Sequence, residues 1–333
     1  MRLLLAICVI NAFIIHVYAL SPSVALGVRV VDEDENPLSG IPVACIFPDR
    51  TRLGNDDYSI VTNRTGDDGI TRFNGRSYNG WVEYGMIEKD GFYPISAIRT
   101  DFTNVTGLVL ERWQPYNEIQ PITLQRIGNP IPLWVRCDSK GWGNDLTIKP
   151  DRKFYYDLVK GDWMPPFGKG EHADIGFKLL PREDFGMGIG PSGIPDPAFR
   201  DTVSVEFIGN DNGVVKVRPP PNAILKVRTA PEDGYKNSFN IWYGRTKTMQ
   251  IDTSTDKNIC HVFRIRTVKN SDGKIVSAFY GKVYGGFPLT YKVQDHPSGV
   301  SFTYYLNLTP NDRNLEWDMK HNLCPVRDSF NQP

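Results

Sequence analysis

Apolar and polar residues alternate in short runs along most of the chain, and turn-forming clusters separate the runs. Val24, Leu26, Val28 and Val30 alternate with Ala25, Gly27, Arg29 and Val31, a period-2 strand with at least one apolar face. Asp32-Glu33-Asp34-Glu35-Asn36-Pro37 follows as a turn, where Asx side chains bond their own backbone and Pro37 presets φ. Ile41 to Phe47 returns as a strand, so the pattern predicts an opening hairpin. A polar turn from Thr62 to Gly69 leads into Ile70 to Phe73, and Trp81 to Lys89, Phe92 to Ile95 and Ile122 to Ile127 complete the first set. Pro94 marks an edge or a strand end.

Gly128-Asn129-Pro130-Ile131-Pro132 is a stiff joint, because each proline holds the residue before it extended. Beyond it the predicted strands are Phe154 to Leu158, Ala173 to Leu180, Thr202 to Ile208, Val214 to Arg218, Ser238 to Tyr243, His261 to Lys269, Lys274 to Tyr284, Leu289 to Lys292 and Ser301 to Leu306. Asn270-Ser271-Asp272-Gly273 is a hairpin signal. This series of short strands predicts a β-sandwich of jelly-roll type. The expected fold class is all-β, with a first domain over residues 20–127 and a larger one over residues 128–333.

The chain opens with Met1-Arg2, an apolar run from Leu3 to Val17, and Val17-Tyr18-Ala19, which reads as a cleavable signal peptide over residues 1–19. Asn11 and His16 interrupt a run shorter than the ~20 residues of a membrane helix. Ile7 before Cys8 is a poor lipoprotein box. A secreted or extracytoplasmic product is therefore expected, with no membrane span. Without Arg2, the 38 basic side chains become 37 against 38 acidic ones, a net charge of −1. Nucleic acid and anionic membrane surfaces gain no electrostatic support.

Val28 to Val43, read as V-x-V-x-D-x-(D/E)-x-N-P-L-x-G-(I/V)-x-V, followed by Thr62, Gly66, Gly69 and Phe73, resembles the carboxypeptidase regulatory-like domain, a transthyretin-like, Ig-type sandwich. Lys89-Asp90-Gly91-Phe92-Tyr93 is similar to the late strand pair of that domain. The resemblance implies a prealbumin-like first sandwich that serves as an accessory module and carries no catalytic residues. Tyr156 to Trp163, Phe167 to Gly170 and Thr303 to Glu316 resemble secreted bacterial proteins of the same two-part layout, which implies export and architecture but no reaction.

Candidate chemistry is sparse. Asp32-x-Asp34-x-Asn36 mimics the start of a calcium loop, but Pro37 and Val43 stand where glycine and glutamate are required. Gly188-Ile189-Gly190-Pro191-Ser192-Gly193 matches G-x-G-x-x-G, yet Pro191 removes an N–H and Pro195 and Pro197 forbid the helix that a dinucleotide site needs, so it reads as a flexible surface loop. Neither G-x-S-x-G nor H-E-x-x-H occurs. No metal and no cofactor is expected. Four cysteines follow the signal, and Cys260–Cys324 is the expected disulfide if one forms in the second domain.

Two readings of function have candidate residues, and a purely structural envelope subunit is a third. Trp113, Trp142, Trp163 and Trp317 sit beside Pro, Gly or charge, so they are candidate exposed platforms for a polysaccharide or a cell-surface protein. Asp162, Glu171, Asp174 and Asp184 lie near Trp163 and Phe167, so they are the candidate acid and base of a carbohydrate-active hydrolase. A non-catalytic exported binding or surface-associated protein is the first reading and the hydrolase the alternative.

Overall fold

The computed structural model describes residues 21–50, 56–96, 98–107, 111–138, 152–218, 227–256, 258–291 and 297–325. Among these residues every regular element is a strand. No helix is long and apolar enough to cross a membrane among them. The expected signal peptide and Trp142 lie outside the described residues. The chain divides into two compact units that meet in sequence at Ile127 and Gly128.

The first unit contains β1 (Ser23–Val31), β2 (Pro42–Arg50), β3 (Asp56–Arg64), β4 (Ile70–Arg76), β5 (Trp81–Tyr84), β6 (Ile98–Asp101), β7 (Asn104–Thr106), β8 (Arg112–Gln114) and β9 (Glu118–Thr123). One sheet runs β4-β1-β8-β7, with β9 also on β1, and the other runs β3-β2-β5-β6. Val24, Leu26, Val28 and Val30 of β1 meet Val43, Cys45 and Phe47 of β2 in the core between them. Period-2 alternation supplies this inward row.

This arrangement corrects the expected opening hairpin. β1 pairs with β4, β8 and β9, whereas β2 pairs with β3 and β5, so the two strands lie in opposite sheets. Each buries an apolar row against the other, which a hairpin within one sheet cannot do. The turn itself forms as expected. Asp32 is 1% exposed, and its Oδ1 accepts the N–H groups of Asp34 (3.0 Å) and Asn36 (2.9 Å). Burial alone would raise its pKa, but Asn36 and the Arg126 guanidinium hold it below the usual carboxylate range. The carboxylate is taken up by the backbone, Asn36 and the Arg126 guanidinium.

The second unit contains β10 (Ile131–Asp138), β11 (Lys153–Asp157), β12 (Asp162–Trp163), β13 (Ile175–Leu179), β14 (Glu183–Ile189), β15 (Pro195–Phe207), β16 (Gly213–Val217), β17 (Ser238–Arg245), β18 (Ile251–Thr253), β19 (Cys260–Lys269), β20 (Ile275–Tyr284), β21 (Leu289–Tyr291), β22 (Pro297–Val300), β23 (Phe302–Asn307) and β24 (Trp317–Asn322). A seven-stranded sheet runs β12-β11-β13-β15-β17-β18, with β14 on β15, and a six-stranded sheet runs β16-β19-β20-β23-β10-β24. Phe177, Val205, Phe207 and Ile241 of the first meet Phe263, Val283, Phe302 and Tyr304 of the second in the main core. On its other face the six-stranded sheet is covered by Val227, Ala230 and Leu315.

Two expectations are corrected in this unit. Gly190 to Gly193 is a surface turn as expected, but Gly188 and Ile189 belong to β14, which forms a hairpin with the start of β15. A β-carbon at Gly188 would lie 2.5 Å from Met249 Cε and 2.6 Å from the Lys247 carbonyl oxygen, so close packing accounts for that glycine. The Cys260–Cys324 bridge does not fit. Cys260 opens β19 and Cys324 follows β24, with β20, β23 and β10 between the two strands. Four steps of about 4.8 Å put them roughly 19 Å apart, against under about 7 Å for bridged Cα atoms.

Candidate functional site

The carboxylates expected near Trp163 are held by local contacts. Asp162 Oδ1 accepts the Trp163 N–H at 2.8 Å and its Oδ2 the Lys169 N–H at 2.9 Å. Glu171 is exposed and pairs with Lys160 at 2.6 Å. Asp184 Oδ1 accepts the Gly186 N–H at 2.8 Å on β14, on the far side of β15 and β13 from β11 and β12. Asp174 is 1% exposed, and Arg266 Nε reaches its Oδ1 at 2.9 Å. The structure thus brings Asp174 together with Asp157 and Arg266, not with Asp162 or Asp184.

Arg266 is a clamp between two buried acids. Its Nη2 also bonds Asp157 Oδ1 at 2.7 Å. Asp157 accepts backbone N–H groups from Lys160, Glu171 and His172 as well. Burial would raise its pKa, but those bonds and Arg266 bring it below the usual range. Burial dominates at Asp174 and pushes its pKa up. Arg266 has φ +52° at a register shift in β19, the bulge geometry that turns its side chain toward the pair. A raised carboxyl is what a general acid requires, but this one is sealed behind a guanidinium and also accepts the Leu158 N–H at 2.9 Å. Its geometry ties the 157–174 segment to β19.

The expected tryptophan platforms are corrected as well. Trp163 is 4% exposed, edge-on to Tyr156 at 5.1 Å and tilted against Phe177 at 5.6 Å. Trp317 is 4% exposed, packs on Tyr305 at 5.4 Å and donates from Nε1 to the His321 carbonyl. Trp113 is half-buried, donates to the Ser77 carbonyl at 2.7 Å and packs against the core of the first unit. All three indoles gain from burial, and those of Trp113 and Trp317 gain an N–H bond as well.

Trp242, which the sequence reading did not single out, is half-buried, as Trp81, Trp113 and Trp134 are. It lies on β17 next to Ile241, whose side chain enters the core, so period 2 turns the indole to the outer face of the seven-stranded sheet. There it borders an open groove of about 430 Å³ with Leu180, Glu183, Arg200, Thr202 and Asn240. Trp242 Nε1 donates to Asp252 Oδ1 at 3.1 Å. Arg200 donates to Asp252 Oδ2 from Nη2 at 2.7 Å and from Nε at 3.1 Å, and its Nη1 lies 3.6 Å from Glu183. The guanidinium carbon is 6.0 Å from the Trp242 ring centre. Arg200 and then the Trp242 N–H hold the Asp252 carboxyl below its usual range.

This groove combines one aromatic face with several fixed donors and acceptors. The Asp252–Arg200–Glu183 chain fixes the guanidinium in place, and Asn240 and Thr202 add uncharged partners. Such a set offers a ring face beside fixed polar groups. Its ionised Asp252 is the opposite of a general acid. Among the described residues no three His, Cys, Asp or Glu side chains gather as a metal site.

No protein-family model matches the chain, and no curated protein matches it. Among solved structures, 3-chlorocatechol 1,2-dioxygenase from Rhodococcus opacus 1CP is similar over 33% of this chain and 62% of its own length, with 11% identity and a TM-score of 0.25. A streptococcal ancillary pilin is similar over 84% of this chain and 58% of its own, with 12% identity and a TM-score of 0.20. BcpA, the major pilin subunit of Bacillus cereus, is similar over 84% of this chain and 95% of its own, with 9% identity and a TM-score of 0.21. The chain spans less than two thirds of the first two. The all-β assignment rests on the chain's own sheets.

Proposed function

We propose that the chain is an exported, surface-associated, non-catalytic binding protein that takes a saccharide in the Trp242 groove. The single observation behind this reading is the outward indole beside an arginine locked by two carboxylates. A sugar stacks its C–H face on the indole, and its hydroxyls take the polar groups around it. A volume of 430 Å³ falls within the roughly 300–1,000 Å³ of small-molecule sites. The text from Val28 to Val43 and its Asp32-centred turn support reading the first unit as a carboxypeptidase regulatory-like accessory module. The apolar run from Leu3 to Val17 with Val17-Tyr18-Ala19 at its end supports export.

A glycan-array screen of the chain tests the reading, with Trp242→Ala and Asp162→Asn in parallel. Binding that Trp242→Ala abolishes and Asp162→Asn retains is the expected result. Binding lost with Asp162→Asn and kept with Trp242→Ala would place the site elsewhere.

A further inference from the structure

β3 stands at the end of its sheet and pairs only with β2 among the described residues. The pairing runs from Pro42↔Arg64 to Arg50↔Asp56 without a register shift. Natural sheet edges are blunted by charged side chains, lysine above all, by proline, a bulge or shortness. The nine-residue sequence DDYSIVTNR has neither lysine nor proline, and its charged residues stand at its two ends. Tyr58 and Ile60 project from one face and are 55% and 64% exposed, an apolar pair on an open edge.

The hydrogen bonds show which residues of β3 face outward. Opposite Tyr58 stands Pro48, which has no N–H, and the Pro48 carbonyl accepts from Tyr78 on the other side. The Tyr58 N–H accordingly turns away from β2 and donates to its neighbour Asp57 at 2.8 Å. With period 2, the N–H and C=O groups of Ile60 and Thr62 face the same way. The edge therefore offers three residues in hydrogen-bonding phase, one with its donor held by a local side chain.

We propose that this edge pairs with the same edge of a second copy, antiparallel about a two-fold axis at Ile60. Ile60 then opposes Ile60 and exchanges two backbone bonds with it, Tyr58 opposes Thr62 and accepts the Thr62 N–H at its carbonyl, and the two four-stranded sheets become one. Charge selects this occupant. β3 opens with Asp56-Asp57 and closes with Arg64, and the Ile60 register sets position 56 opposite position 64. An antiparallel copy thus brings each acidic start to a basic end, where a parallel copy would set like beside like. A two-fold interface is self-complementary by construction.

Sedimentation velocity of the full chain tests this from about 1 to 100 µM, because dimer formation follows mass action. The 37.7 kDa chain is expected to shift toward a dimer as concentration rises. Ile60→Lys is expected to remain a monomer with an unchanged melting temperature. Tyr58→Lys, at an equally open position, serves if Ile60→Lys does not fold. A chain that stays monomeric throughout, or a dimer that both lysine variants leave intact, would overturn the proposal.

Discussion

Lys282 offers a quantitative test of how the second unit is built. It is 0% exposed on β20, its ammonium donates to the Val227 carbonyl at 2.9 Å, and the Tyr284 and Tyr305 ring centres lie 5.2 and 5.5 Å away. Burial lowers its pKa from 10.5 to about 8. At 1.36 kcal/mol per pKa unit, holding the charged form costs the folded state about 3 kcal/mol at neutral pH. The sign follows from proton counts. Between pH 8 and 10.5 the unfolded chain binds more protons at this site, so the site's contribution to stability rises across that window. Lys282→Met removes the charge and keeps the packing, but strips the Val227 carbonyl of its donor at a cost of about 1–3 kcal/mol. The stability of the variant relative to the parent should therefore fall by about 3 kcal/mol from pH 7.5 to 10.5. Taking the difference matters, because burial raises the pKa of Tyr235 in the same unit above 10.0, which destabilises both proteins at high pH. Urea denaturation at stepped pH, following the transition of the second unit, measures it. A difference that stays flat from pH 7.5 to 10.5 would refute the reasoning.

Arg266→Met should destabilise the second unit by about 3–5 kcal/mol in chemical denaturation, because Asp174 is left buried without its cation. His261 is packed between Phe239 and Phe287, and burial lowers its pKa from 6.5 to about 4, so the unfolded chain takes up a proton first as pH falls. Stability should drop by about 3 kcal/mol between pH 6.5 and 4, and His261→Phe should remove that part of the acid slope. Gly188→Ala should lower the melting temperature by overpacking the β14–β15 hairpin against Met249 and Lys247, at about 1–3 kcal/mol, with no dependence on added nucleotide.

Features set by neighbours in sequence were legible there. The Asp32 turn forms because Asx bonding spans a few residues, and Asn270 Oδ1 takes the Asp272 and Lys274 N–H groups in the turn between β19 and β20. The longer strands followed from period 2. Features set by distant partners were not legible. The sheet that receives β2 depends on β5, some forty residues further along, and the alternation of β2 is the same in either sheet. Gly188 and Gly190 resemble a loop because their reason, Met249, lies far along the chain. Burial of Trp163 and Trp317 depends on aromatic partners such as Phe177 and Tyr305, which the flanking Gly, Pro and charge do not reveal. Trp242 did carry a local signal, since Ile241 on the core face implies an outward neighbour.

The central claim concerns one indole among seven tryptophans. The chain labelled with 5-fluorotryptophan, each resonance assigned by single Trp→Phe variants, can be titrated by ¹⁹F NMR with an oligosaccharide that the array identifies. The account predicts that the Trp242 resonance moves with saturation while those of Trp113, Trp163 and Trp317 stay fixed. Saturable movement of any other tryptophan with Trp242 unmoved would contradict it.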